Sequence, residues 1–80
     1  MHSLLLNILR ALVQVPESLE LVEVKGDSTT FLEIRCDPQD VGSIIGKNGK
    51  TISAIRVLIN AITTSPDHPV IIEVIEPTGP

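Results

Sequence analysis

Two glycines, Gly46 and Gly49, constrain the fold of this chain more than any other feature of its 80 residues. Glycine adopts positive φ angles without steric cost, so a closely spaced pair is typical of a tight turn. Ile44-Ile45 precede this turn, and apolar residues at helical spacing follow it from Ile52 onward. We therefore predict two helices joined by the segment Gly46-Lys47-Asn48-Gly49, called the GxxG loop below.

A helix and two strands are predicted before the GxxG loop. Residues 5–12 carry apolar side chains at helical spacing behind Ser3, a candidate N-cap, and Pro16 ends that pattern. Residues 19–25 and 29–36 are predicted to be strands, with Gly26-Asp27 as the turn between them. Alternate side chains of the second strand share one face, which we expect to be buried: Thr30, Leu32, Ile34 and Cys36.

Two helices and a strand complete the predicted order. Asp37-Pro38 predicts a helix start, because aspartate accepts hydrogen bonds from free N–H groups and proline suits the first helical position. That helix ends at Gly46, which we expect in the left-handed conformation. Residues 63–69 are predicted to be a loop, 70–76 a strand and 77–80 a frayed tail. The third helix is predicted from Gly49 or Lys50 to Ile62, with a buried stripe at Ile52, Ile55, Leu58, Ile59 and Ile62.

The element order α-β-β-α-α-β places the chain in the α+β class. Its length suffices for one domain, and the hydrophobic fraction of 42% is typical of a packed globular protein. The two-helix connection makes the last strand parallel to the second if the two are neighbours. We predict a single domain over residues 1–80, with a three-stranded mixed sheet and helices on one face.

The charges are unevenly distributed along the sequence. The net charge of -4 is unusual for a nucleic-acid binder. Residues 41–66, however, contain Lys47, Lys50 and Arg56 and no acidic residue, whereas seven of the ten acidic residues lie at or before Asp40. The GxxG loop is therefore predicted to be locally positive and to suit a phosphate, because a helix start offers free N–H groups and glycines permit close approach.

Two other interpretations of the GxxG loop exist. Glycines are also typical of an ordinary connection between helices, where one of them ends the first helix. Gly49-Lys50-Thr51 matches the end of a nucleotide-binding P-loop, but that motif needs another glycine where Ile44 stands. The position of the loop between two helices, inside an acid-free segment, favours contact with phosphates.

No catalytic, metal or cofactor site is predicted. Cys36 is the single cysteine and the two histidines are far apart in sequence, so neither a nucleophile–base pair nor a ligand cluster can be assembled. Asp37 and Asp40 are explained as helix caps. The apolar start of the chain lacks the features of a signal peptide and is too short to span a membrane. We expect a cytoplasmic protein that is not an enzyme.

Residues 44–52 resemble the signature of KH domains, whose GxxG loop holds about four nucleotides by their backbone. The element order matches the bacterial, type II version of that domain. The resemblance implies that RNA contacts Gly46, Lys47, Asn48 and Gly49, with Lys50 and Thr51 opening the next helix. It also places Ile45 and Ile52 near the groove that binds bases, and makes Arg56 a weaker candidate for a phosphate contact, with a solvated surface cation as the alternative.

A free-standing KH domain of this size is similar to the bacterial KhpA family of RNA-binding proteins. That resemblance implies single-stranded RNA as ligand and either a homodimer or a second KH protein of the KhpB (Jag/EloR-like) type as partner. It further implies an RNA chaperone or post-transcriptional regulator connected with cell shape and cell wall biogenesis. The alternative is a KH fold that serves as a protein-interaction or dimerisation module, which the acidic total and the lack of aromatic stacking platforms favour.

Overall fold

The computed structural model describes residues 2–63 and 67–76. Its helices are α1 (His2–Leu12), α2 (Val41–Ile45) and α3 (Lys50–Ile62), and its strands are β1 (Glu20–Lys25), β2 (Thr30–Arg35) and β3 (Val70–Ile75). The predicted order of elements is confirmed. The predicted tail at 77–80 and residues 64–66 of the predicted loop lie outside the described residues.

The three strands form one mixed sheet in which β2 is central. β1 pairs with β2 in antiparallel orientation, and the turn between them is closed by a 2.7 Å hydrogen bond from Gly26 N to Thr29 O. β3 pairs with β2 in parallel orientation, as the two-helix connection predicts. The buried face of β2 is also confirmed, because Thr30, Leu32, Ile34 and the adjoining Cys36 are at most 7% exposed.

The helices pack on one face of the sheet, and aliphatic side chains fill the space between the two layers. Each fully buried side chain of this size stabilises the fold by about 1.5–3 kcal/mol. Ile44 of α2 and Ile52 of α3 anchor the two helices that flank the GxxG loop. The buried apolar residues are Leu5, Leu9, Leu32, Ile34, Cys36, Ile44, Ile52, Ile55, Ile59, Val70 and Ile72.

The starts of two helices differ from the prediction. α1 already includes His2, so Ser3 lies inside the helix and is not its N-cap. The turn that Asp37-Pro38 begins is a 3-10 helix over Pro38–Asp40, and α2 starts only at Val41. The carboxylate of Asp37 accepts a hydrogen bond of 3.1 Å from Gln39 N, as expected of a cap. A further 3-10 turn, Pro16–Ser18, separates α1 from β1.

The buried stripe of α3 is narrower than predicted. Ile52, Ile55 and Ile59 are buried, but Leu58 is 44% and Ile62 is 43% exposed. Successive helical residues are turned by about 100°, which places Leu58 at the edge of the buried stripe, and Ile62 is the last residue of α3. The exposed apolar residues of this helix form a surface that we call the α3 stripe: Ala54, Val57, Leu58, Ala61 and Ile62.

Candidate nucleic-acid interface

The backbone of the GxxG loop turns sharply at Gly46, directly after α2. Its φ of 78° and ψ of 172° lie in a region that only glycine readily occupies. The predicted left-handed α conformation is therefore wrong here, although the predicted need for glycine is not. A Cβ atom built on Gly46 would lie 2.6 Å from Thr51 Cβ and 2.8 Å from the Thr51 backbone nitrogen. Close packing against Thr51 is thus a second reason for glycine at this position.

Asn48 and Gly49 both adopt the left-handed α conformation. Their φ and ψ values are 57° and 28° for Asn48 and 73° and 13° for Gly49. Asparagine is among the few non-glycine residues that tolerate this region. The sequence analysis assigned Asn48 an RNA contact and missed this backbone role. The signal was present, because Asn-Gly is the dipeptide typical of turns with two successive positive φ angles.

The polar side chains of the loop face solvent beside the start of α3. Lys47, Asn48 and Lys50 are exposed, and Thr51 is half-buried. Gly49 precedes the helix and has no side chain with which to cap its N–H groups. Two ammonium groups, an amide and a helix start therefore lie within one short segment, an arrangement suited to a phosphate.

The two isoleucines of the motif contribute mainly to packing. Ile52 is 5% exposed and belongs to the core. Ile45 is half-buried and packs against the core from the end of α2. These contacts fix the direction in which α2 enters and α3 leaves the GxxG loop.

Arg56 lies about 9 Å along α3 from Lys50, at a rise of about 1.5 Å per residue. Its guanidinium donates two hydrogen bonds to the backbone oxygen of Ile72 on β3, of 3.2 Å from Nε and 3.0 Å from Nη2. It is thus neither in the GxxG loop nor simply solvated. β3 pairs only with β2 among the described strands, so this contact satisfies a carbonyl on the other edge of β3.

Asn60 completes the contact between α3 and that edge. Its side-chain amide donates to Val70 O at 3.0 Å, and its oxygen accepts from Val70 N at 3.1 Å. The sequence analysis did not identify Asn60. Its spacing of four residues from Arg56, which puts both on one helical face, is the available signal.

Asp40 has a different role from the helix cap that the sequence predicts. Its side chain is fully buried and accepts hydrogen bonds from Gln14 N at 2.9 Å and from Val15 N at 3.0 Å. No side-chain hydrogen bond caps α2 at this residue. Asp40 therefore connects the segment that follows α1 to the start of α2, the helix that leads into the GxxG loop.

Cys36 is the remaining group that could react. Burial raises the pKa of its thiol, and the nearby carboxylates of Asp40 and Asp37 raise it further. Within residues 2–63 and 67–76, no His, Cys, Asp and Glu side chains gather in a group of three that could hold a metal ion. Nor does that part of the chain contain a helix with the length and apolarity to cross a membrane.

Comparison with known proteins gives one consistent result. Residues 2–74 match the model of the family described as KhpA/KhpB, KH domain. The chain is 36% identical to the RNA-binding protein KhpA of Clostridium acetobutylicum over 75 residues, which are 94% of this chain and 100% of the relative. It is 38% identical to the protein of that name from Chlamydia trachomatis, over 95% of this chain and 97% of the relative.

A more distant relative extends this result. KhpA of Aquifex aeolicus is 31% identical over 84% of this chain and 85% of its own length. No solved structure gives a significant match. The fold, the geometry of the GxxG loop and the full-length relatives agree, and the chain belongs to the KhpA/KhpB family of KH domains.

Proposed function

We propose that this protein binds single-stranded RNA through the GxxG loop. The observation that carries the proposal is the exposure of Lys47 and Asn48 on a loop that adjoins the start of α3 and has open space beside Gly49. The relatives are named RNA-binding proteins, which supports the same ligand. Residues 41–63 carry no acidic side chain that would repel phosphates.

The residues of the site take different parts in this proposal. Gly49, where nothing lies within 4 Å of a Cβ position, lets the sugar-phosphate backbone approach, and Gly46 forms the tight turn against Thr51 that presents the loop. The Lys47 and Asn48 side chains contact the RNA backbone. Lys50 and Thr51 extend the contact to the first turn of α3. Ile45 and Ile52 support the loop from the core and border the base groove. Arg56 joins the site only by exchanging the Ile72 carbonyl for a phosphate.

The test is a double substitution, Lys47→Asp with Asn48→Asp. It removes a cation and adds two anions where phosphates approach, so we expect RNA binding to be lost. Aspartate tolerates the left-handed conformation of position 48, and both side chains are exposed, so stability should change by no more than about 0.5 kcal/mol per site. The experiment pairs a thermal melt with a fluorescence titration of a short single-stranded RNA.

The matched control is Lys25→Asp with Ser28→Asp, at the exposed last residue of β1 and in the turn that follows it. Both double variants lower the net charge by the same amount, but only the first changes the GxxG loop. We expect the control to keep most of the RNA affinity. Equal losses in the two variants would mean that only the total charge matters, and unchanged binding by the loop variant would place the RNA contact elsewhere.

We further propose that the protein acts with a second KH chain, either another copy of itself or a KhpB-type protein. The α3 stripe supports this, because its five apolar side chains are all exposed and Val57 is 72% exposed. Two loops presented to one RNA strand raise the apparent affinity without any new contact. This arrangement suits an RNA chaperone or post-transcriptional regulator in the cytoplasm, without catalysis.

The alternative function is protein interaction through the KH fold alone. The α3 stripe and the net charge of -4 are the observations that favour it. It predicts that the wild-type chain dimerises or binds a KH partner but shows no RNA binding for the loop variant to lose. The corresponding test in cells deletes the gene and then reintroduces either the wild-type gene or that of the loop variant, with cell shape as the readout. Restored cell shape with the loop variant would favour the alternative, and failure to restore it would favour RNA binding.

A further inference from the structure

The side of the sheet opposite the helices carries a row of exposed apolar residues. The register pairs Val24 of β1 with Phe31 of β2, and Phe31 with Ile71 of β3. These side chains are 48%, 36% and 40% exposed. Phe31 is the only aromatic residue of the sequence, and it lies in the middle of this row rather than in the core.

The two neighbouring rows complete what we call the outer sheet face. One row is Val22, Glu33 and Glu73, and the other is Glu20, Arg35 and Ile75. Five of these nine positions are therefore apolar. In a strand with one face on the core and the other in water, apolar inward residues normally alternate with polar outward residues. This composition instead indicates a surface that another molecule covers.

The charges of the outer sheet face indicate what kind of molecule that is. Arg35 forms ion pairs with Glu33 at 3.4 Å and with Glu20 at 3.9 Å. Glu73 lies next to Glu33 in the parallel register and makes no ion pair within the described residues. The face thus carries three carboxylates and one guanidinium. It repels the phosphates of RNA and attracts a cationic partner.

The absence of free backbone groups in the middle of the outer sheet face favours a helix as the partner segment. A segment that lies across a sheet, and not along its edge, finds no backbone groups to pair with, so it must satisfy its own N–H and C=O groups. A helix does so, and the inner face of this sheet already packs against helices. The edge of β3 is also occupied by Arg56 and Asn60, which leaves less of it for an added strand.

We propose that the outer sheet face docks a basic amphipathic helix of a partner protein. Apolar side chains of that helix cover Val24, Phe31 and Ile71, and its lysine or arginine side chains pair with Glu33 and Glu73. This surface is separate from the GxxG loop and from the α3 stripe, so the domain can hold RNA and this partner together.

The test uses the full chain, labelled for NMR, and a synthetic leucine/lysine peptide of about 14 residues, which makes about four helical turns. The control peptide has glutamate in place of every lysine. We expect the lysine peptide to shift the amide signals of β1, β2 and β3 and the glutamate peptide to shift none. Phe31→Thr should weaken binding about tenfold, as truncating an aromatic anchor commonly does.

Further variants separate the two contributions. Glu33→Gln and Glu73→Gln should each weaken peptide binding about two- to threefold, with less effect at high salt. Val24→Thr, on the edge strand, repeats the apolar test should Phe31→Thr fail to fold. Leu4→Ala on α1 removes a side chain of similar exposure, 43%, and should leave binding unchanged. RNA binding by Phe31→Thr should also be unchanged, which separates this proposal from the proposed function.

Several results would overturn the proposal. These are shifts confined to the helices, equal binding of the two peptides, and equal losses for Leu4→Ala and Val24→Thr. A change in the sedimentation of the free protein with Phe31→Thr would instead identify a second copy as the occupant. RNA-induced shifts in β1 and β2 would make the face part of the RNA site.

Discussion

Three of the four residues of the GxxG loop have positive φ angles, but the reason why each position needs its residue type differs. Gly46 needs glycine both for its φ and ψ and because Thr51 occupies the space of a Cβ atom. At Gly49 the backbone is left-handed, but nothing lies within 4 Å of a Cβ atom built there. Asn48 tolerates the left-handed region as asparagine. The loop is therefore a turn in which Lys47 can be substituted most freely and Gly46 least freely.

This difference predicts unequal costs for two alanine substitutions. Gly49→Ala should lower the free energy of unfolding by about 1 kcal/mol, the cost of a left-handed alanine. Gly46→Ala should lower it by about 3 kcal/mol or more, since a forbidden conformation and a steric overlap add together. Urea denaturation of both variants measures the two values. Equal destabilisation would show that the backbone at position 46 relaxes and that Thr51 moves aside, both without cost.

Cys36 gives a prediction on pH. Burial first, and then the carboxylates of Asp40 and Asp37, raise the pKa of its thiol above the ordinary value of 9.0. The folded protein therefore holds the thiol proton more tightly than the unfolded chain does. The resulting contribution to stability is fully present at neutral pH and is lost as the pH rises through the pKa of the folded protein. The stability difference between wild type and Cys36→Ala should shrink above about pH 9. A difference that stays constant in urea unfolding across that range would contradict the raised pKa.

Single residues also mark the limit of what the sequence predicts. Glycine and proline have backbone preferences of their own, so the position of the GxxG loop and a helical start at Pro38 could be predicted, although the first turn there is a 3-10 helix. The role of Asp40 could not, because its partners Gln14 and Val15 lie 26 and 25 residues away and contribute only backbone N–H groups. No pattern of side chains reports such a contact before the chain is folded.

Among the elements, the contact between Asp40 and the segment that follows α1 fixes how α2 leads into the GxxG loop. The buried carboxylate of Asp40 accepts one hydrogen bond at each oxygen. An amide in its place has only one acceptor oxygen, so one of the two hydrogen bonds would be lost. Asp37 is different, because it makes an exposed hydrogen bond to Gln39 N that asparagine can also make.

These contacts predict opposite outcomes for two chemically identical substitutions. Asp40→Asn should destabilise the protein by about 2 kcal/mol, because one buried N–H loses its acceptor and the new amide hydrogens find none. Asp37→Asn should change stability by less than about 0.5 kcal/mol. Chemical denaturation measures both. Similar values would mean that water replaces the lost acceptor at Asp40.

The periodicity of α3 shows the corresponding limit at this scale. Apolar spacing predicted the helix correctly from Lys50 to Ile62, because the apolar pattern is long and stops at both ends of the helix. It could not tell which apolar residues face the sheet and which form the α3 stripe, because apolar residues cover more than half of the helix circumference. Leu58 and Ile62 were therefore assigned to the core, although they are exposed.

In the whole molecule, the GxxG loop and the outer sheet face carry opposite charge. The helix layer carries Lys47 and Lys50 at the GxxG loop, whereas the outer sheet face is acidic. The sum of -4 thus hides a cationic site, and the small number of cations limits how many phosphates it neutralises. Two or three phosphates per loop imply a log-log salt slope of about -1.5 to -2 for single-stranded RNA. A pair of loops on one strand doubles that slope.

The last prediction therefore joins oligomeric state to RNA binding. If two copies associate through the α3 stripe, RNA long enough to reach both loops should bind with a slope of about -3 to -4. Val57→Asp places a carboxylate in the stripe and should give a monomer, with the slope halved and the apparent affinity lower. Asn7→Asp on α1 makes the same charge change at an exposed site and should alter neither property. Sedimentation and RNA titrations at several salt concentrations measure both. A wild-type monomer with the steeper slope would show that one chain contacts more phosphates than its loop can reach.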